Sequence, residues 1–193
     1  GISPRNSLPE AVWTDTVAWY NAEVAQKDND FLSIPVGMSE NGDTLHFKLG
    51  DTSGVYHGFI VGTNGTGKTS FLNQIILGVC ETYKPSEIEL YLADLKQGVE
   101  FQYFSDHPNC RRILLGEDSK ADLLTLLREF AAQIAQRASA FRAKKLKNIA
   151  EYNEKHPEAR LPHLILIVDE VQQLFSGTWS ETEAFGKILE QVV

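Results

Sequence analysis

The sequence predicts an α/β fold, a three-layer sandwich built on a mainly parallel sheet. Three observations point there. A continuous apolar run at 164–168 has the length and composition of a strand covered on both faces. A second strand-like run at 88–93 ends at Asp94. From residue 56 onward, runs of this kind alternate with helix-spaced apolar residues, the rhythm that packs helices over a parallel sheet.

Taken in order, residues 9–26 carry Val12, Trp13, Val17, Trp19, Tyr20 and Val24 at roughly helical spacing, which predicts a short amphipathic helix outside the main alternation. Two strand-like stretches, 31–37 and 44–49, flank Asn41, Gly42 and Asp43, so a hairpin is expected. A buried strand is predicted at 56–61, leading into a glycine-rich loop. A helix follows over 68–83, carried by Phe71, Leu72, Ile75, Ile76 and Val79. Ile113 to Leu115 reads as a third strand of the main sheet. A long helix is expected from 119 to about 150, with Ser119 as its cap and Asp122 near the positive end of its dipole. Residues 151–162, with Pro157 and several charges, read as a loop, and 185–193 as helix.

The chain has 193 residues, 42% of them hydrophobic, enough for one substantial core. No run approaches the roughly 20 apolar residues needed to cross a bilayer, and no signal segment opens the sequence, so a cytoplasmic setting is expected, or the cytoplasmic part of a membrane-anchored protein. Cys80 and Cys110 lie in no CxxC or His-rich setting, which argues against a disulfide framework or a zinc site. A net charge of -8 excludes a surface that is basic throughout, while leaving room for a local basic stripe.

Chemistry concentrates at Gly62, Thr63, Asn64, Gly65, Thr66, Gly67, Lys68 and Thr69, which satisfy the phosphate-loop pattern between a predicted strand and a predicted helix. Glycine permits the tight backbone whose N–H groups point inward, and the following helix N-terminus adds positive potential. Lys68 is expected to reach the β and γ phosphates of ATP, Thr69 to place its hydroxyl on Mg²⁺, and Ser70 to touch the α phosphate. At the carboxyl end of the run 164–168 stand Asp169, the candidate for the Mg²⁺ shell, and Glu170, the candidate to orient and polarise the attacking water.

Other residues keep two readings. Asp94 and Lys96 belong either to the catalytic edge or to a capped turn. Arg128 and Arg137 read as solvated helix residues or partners of Glu129, with an arginine finger as the sharper alternative. Arg142, Lys144, Lys145 and Lys147 read first as a helix end complementing its dipole, and second as a phosphate-backbone contact. His107, His156 and His163 show no metal-ligand spacing, and Trp13, Trp19 and Trp179 read as packing anchors.

With these residues in hand, the chain resembles the FtsK/SpoIIIE family of HerA/FtsK P-loop motors from Ile34 onward. The resemblance rests on Ile34, Pro35, Val36 and Gly37 with Asn41 and Gly42, and on His57 to Gly62 entering the glycine loop. It continues through Phe71, Leu72 and Asn73, Pro85 to Glu87, and the segment from Asp94 and Lys96 to Glu100. Leu127 with Arg128, Gln136 with Arg137, and Asn148 with Tyr152 and Asn153 complete it. Thr66 and Thr69 stand where the family usually has Ser, and Gln97 interrupts a segment often richer in small residues.

The resemblance implies a RecA-like P-loop NTPase sandwich: an adaptor helix at 1–30, a hairpin at 31–55, and an ATPase core at 56–193. It implies an ATP- and Mg²⁺-dependent motor, forming a homo-oligomeric ring, often a hexamer, with Lys68 and Glu170 catalytic and Arg128 as its finger. The polymer moved is expected to be double-stranded DNA; the alternatives are a secreted protein substrate, as in type VII secretion ATPases, or a nucleotide-dependent switch with weak hydrolysis. In this class of fold a further strand, ending in a polar sensor residue, follows the helix after the acidic pair and inserts between the two catalytic strands. The sequence is therefore expected to be a fragment, or to have that gap filled by another segment or chain.

Overall fold

The computed structural model describes residues 30–63, 65–96 and 100–192; the expected helix at 9–26, with Trp13 and Trp19, lies outside the described residues. β1 (Leu32–Met38) and β2 (Thr44–Leu49) pair antiparallel, with an irregularity between Pro35 and Gly37. Their turn closes where Gly42 takes φ 87, a left-handed conformation that favours glycine, and donates its N–H to the Ser39 carbonyl at 3.0 Å.

Among the described residues the main sheet has three parallel strands in the order β4 (Cys110–Leu115), β3 (Ile88–Asp94), β5 (His163–Asp169). Alternating side chains send Ile88, Leu90, Leu92, Ile165 and Ile167 to one face, against α1 (Lys68–Thr82) and the hairpin. Tyr91, Ala93, Leu164, Leu166 and Val168 face the other way, onto α2 (Lys120–Ala143) and α4 (Trp179–Val192). These are the three layers that the alternation predicts. On α1, Leu72, Ile75, Ile76 and Val79 are buried at helical spacing, and full burial of such a side chain contributes about 1.5–3 kcal/mol. Gly78 permits that contact: a Cβ there would lie 2.4 Å from Ile34 Cγ2 on β1.

Four expectations are corrected. Residues 56–61 form no strand; Tyr56, Phe59 and Val61 are exposed, and among the described residues no neighbour pairs with them. β5 is covered on both faces as expected, but among the described residues it borders the sheet instead of lying inside it. The long helix stops at Ala143: Leu146, drawn into a buried position, donates its N–H to the Phe141 carbonyl at 2.8 Å, with Lys145 in the left-handed region at φ 57. A separate helix, α3 (Ile149–Lys155), then occupies part of the stretch expected to be a loop.

The caps differ as well. Ser119 makes no capping bond, because its hydroxyl donates to the Gly116 carbonyl at 2.6 Å. Asn148 caps α3, accepting the Glu151 N–H at 3.0 Å. Tyr152 stacks on His156, and Asn153 exchanges two hydrogen bonds with the Leu161 backbone, at 2.9 and 2.8 Å. The stretch Asn148, Tyr152 and Asn153 thus caps a helix and clamps the approach to β5.

Candidate functional site

The glycine loop folds as its composition dictates. Gly65 and Gly67 take φ 79 and 87, which L side chains rarely adopt, and a Cβ on Gly62 would lie 2.4 Å from Thr66 Oγ1. Thr66 closes the turn by donating its hydroxyl to the Thr63 carbonyl at 2.8 Å. Asn64 lies outside the described residues. Helix α1 begins at Lys68 with no side-chain cap at Gly67 and no acidic residue in its first turn, so its own residues supply no anion to its positive end. Gly62, Thr63, Gly65, Thr66, Gly67 and Ser70 are exposed; Thr69 is half-buried.

Opposite the loop, register brings two acids side by side. Asp94 at the end of β3 and Asp169 at the end of β5 are direct Cα partners, both buried. The Lys68 ammonium bridges the two elements, 2.9 Å from Asp169 Oδ1 and 3.3 Å from Glu170 Oε1. Those carboxylates, Asp169 foremost, hold the lysine above its usual pKa against the opposing effect of burial. Glu170 itself sits in the left-handed region, φ 56 and ψ 40, and donates its N–H to Asp169 Oδ1 at 2.8 Å. A non-glycine residue held there signals local strain, which concentrates at functional sites.

Two further side chains join this cluster. Burial, then Asp169 and Asp94, push the Glu100 carboxyl above the usual range, placing it within the field of both acids. Gln172 donates its Nε2 to Glu170 Oε2. The only sequence signal for Glu100 is the resemblance of the segment begun by Asp94; nothing singles out Gln172.

The remaining candidates disperse. Lys96 is exposed and its N–H donates to Asp94 Oδ1 at 3.0 Å, so Asp94 caps its turn as well as standing on this edge. Gln97 to Val99 lie outside the described residues. Arg128 is exposed on α2, and Glu129 pairs with Arg112 at 3.1 Å instead of with it. Arg137 donates its Nη1 to the Pro162 carbonyl at 2.8 Å, and burial lowers its pKa. Arg142, Lys144, Lys145 and Lys147 are exposed around the C-terminus of α2, as the dipole reading expects. His107 and His156 fall in separate connections between elements and His163 opens β5, and Trp179 is 80% exposed, no packing anchor. The neighbouring Cys110 thiol, then burial, raises the pKa of the buried Cys80 thiol.

The Thr69 hydroxyl, on the second residue of α1, and the Asp169 carboxylate are hard oxygen donors of the kind that suits Mg²⁺. Among the described residues no group of three or more His, Cys, Asp or Glu side chains is arranged to hold an ion unaided. An ion that brings its own phosphate ligands fits such a site.

Comparison with known proteins bears on this arrangement. The sequence model of the FtsK/SpoIIIE family matches residues 17–192. The DNA translocase FtsK of Helicobacter pylori (strain ATCC 700392 / 26695) is 27% identical over 186 residues, 95% of this chain and 21% of the relative. The ESX secretion system protein YukB of Bacillus subtilis (strain 168) is 28% identical over 163 residues, 82% of this chain and 11% of the relative. The chain therefore spans about a fifth or less of these curated relatives. The cytoplasmic domain of the Thermomonospora curvata type VII secretion ATPase EccC superposes with a TM-score of 0.70 at 19% identity, covering 96% of this chain and 22% of that one. The pCW3 conjugation coupling protein TcpA, in a monomer form with ATPγS, gives 0.62 at 20% identity, covering 88% and 44%. The two structures establish the fold.

Proposed function

The chain belongs to the FtsK/SpoIIIE family, and we propose that it is the ATP-hydrolysing core of a motor that moves double-stranded DNA. The observation that carries this reading is the contact of Lys68, first residue of the glycine-loop helix, with both Asp169 and Glu170. That contact supports a reading in which one residue for phosphate charge and two carboxylates for ion and water act on a single phosphoryl group.

In this mechanism Gly62 to Thr69 cradle the triphosphate, with Lys68 on the β and γ oxygens and Ser70 near the α phosphate. Thr69 and Asp169 would hold Mg²⁺, which would supply neutralisation of phosphate charge. Glu170 orients a water whose oxygen bonds to the γ phosphorus as the bond to the β–γ bridging oxygen breaks. ADP departs with that electron pair, and the water's proton passes to Glu170 and then to the phosphate released. Arg128, exposed on α2, is the residue proposed to reach the γ phosphate of a neighbour in a homo-oligomeric ring, a hexamer in the assembled protein.

Duplex DNA is favoured as the polymer on the segment from Asp94 and Lys96 to Glu100, which resembles the DNA-moving branch of the family. Among the described residues no helix is long and apolar enough to cross a membrane, consistent with a cytoplasmic motor portion. The division into an adaptor at 1–30, a hairpin at 31–55 and a core at 56–193 belongs to the same reading. The test is ATP turnover by the purified protein with and without duplex DNA. Stimulation by DNA, with Lys68→Ala and Glu170→Gln each lowering the rate by at least about a hundredfold, is expected. Stimulation by the tail of a secreted protein and not by DNA identifies the secretion branch; nucleotide binding without turnover identifies a switch.

A further inference from the structure

The two oxygens of the Glu170 carboxylate are held by donors of different kinds. Oε1 is 3.3 Å from the Lys68 ammonium, and Oε2 accepts from the neutral carboxamide of Gln172. The backbone creates the second contact. Glu170, at φ 56 and ψ 40, turns the chain sharply at the end of β5, and the Gln173 N–H then closes a 3₁₀ turn on the Glu170 carbonyl at 2.9 Å. Leu174, 3% exposed, anchors that turn (Val171–Phe175) in the core, so Gln172 is folded back over the glutamate instead of leading away from it.

The donors respond differently to a triphosphate. Lys68 opens the helix that follows the glycine loop, and phosphate oxygens there compete with Glu170 for its charge. Gln172 carries no charge and stands outside the loop. We propose that Gln172 is a positioning residue for Glu170: it keeps Oε2 pinned while phosphates draw Lys68 off Oε1, leaving Oε1 free and aimed at the attacking water. This rests on the reading of Glu170 as the residue that orients that water. A hydrogen bond to a carboxylate from a donor that stays in place fixes its orientation before the reaction.

The test uses the full chain with Mg²⁺ and ATP, measuring kcat, KM and the Kd for ATPγS in the parent, Q172A, Q172E, E170Q and the E170Q/Q172A double variant. Q172E keeps the shape of the side chain while removing the donor. Both Gln172 variants are expected to lower kcat about tenfold, equivalent to about 1.4 kcal/mol, with KM and Kd within about twofold of the parent. In the E170Q background, adding Q172A is expected to change the residual rate no further, since its effect acts only through that carboxylate. A structural role would lower the rate by the same factor in both backgrounds, and that result overturns the proposal, as does parent-like kcat in Q172A or Q172E. Should E170Q keep the parent rate, the assignment of Glu170 itself falls, and the role of Gln172 with it; loss in E170Q with parent-like Q172A removes only the inference about Gln172.

Discussion

Lys145 occupies the position after a helix where glycine is usual. Its N–H bonds to the Arg142 carbonyl at 3.0 Å and that of Leu146 to the Phe141 carbonyl at 2.8 Å, the paired pattern that closes α2. A lysine at φ 57 crowds its Cβ against the backbone, and its side chain is exposed. Lys145→Gly is therefore expected to stabilise the protein by about 0.5–1 kcal/mol, read as a rise of roughly 1–4 °C in Tm, with ATP turnover unchanged. Glu170 has the same backbone conformation at φ 56 with a side chain engaged by Lys68 and Gln172, so relief of strain there removes the site. Legibility differs residue by residue for the same physical reasons. Gly62, Gly65 and Gly67 are legible because a tight loop admits little else. Arg137 is not, since its partner, the Pro162 carbonyl, is 25 residues away and only the folded chain brings it near.

At the scale of elements, the first residue of β5 ties that strand to the hairpin: the His163 ring stacks on Phe31, centroids 4.1 Å apart and planes at 3°. Burial first, then Arg137 and Arg160, lower its pKa to about 4, against a small opposing effect of Asp51. The unfolded chain protonates the same ring near pH 6.5, so between about 6.5 and 4 the unfolded state binds more protons. Stability from this group is complete above about pH 6.5 and is lost as pH falls towards 4, by up to about 3 kcal/mol. His163→Phe preserves the stack without the proton. Urea unfolding at pH 7.5 and pH 4.5 should show a smaller acid loss in the variant by about 2 kcal/mol; equal losses would mean the ring is solvated in the native state. Elements were legible where a pattern is local: α1, β3 and β5 follow from their own apolar spacing. The break of α2 was not, because Ala143 to Leu146 lacks glycine or proline, and burial of Leu146 decides it. Nor was the absence of a strand at 56–61, whose apolar run requires a pairing partner.

Over the whole molecule, that unpaired run and the free side of β5 are two aspects of one feature. The three layers were readable because strands covered on both faces are apolar throughout; strand neighbours were not, since they depend on which segments meet. Among the described residues the outer ladder of β5 has no partner, and Phe59 and Val61 are 78% and 80% exposed on the segment leading to the glycine loop. Unpaired strand edges and exposed apolar side chains both promote association. Opposing them is a net charge of -8 on every copy, a repulsion that acts at long range only while it is unscreened. Raising salt from about 0.1 M to about 1 M shortens the Debye length from about 10 Å to about 3 Å, weakening the repulsion and leaving the apolar attraction intact. The protein is therefore expected to be largely monomeric at low salt and pH 8 and to self-associate reversibly at high salt, as followed by sedimentation velocity. Phe59→Ser leaves the net charge unchanged and removes one of the largest exposed apolar groups, so it should suppress the high-salt species. A distribution that stays monomeric throughout the salt range would mean that these surfaces do not drive association, and equal association in F59S would place the contact elsewhere on the surface.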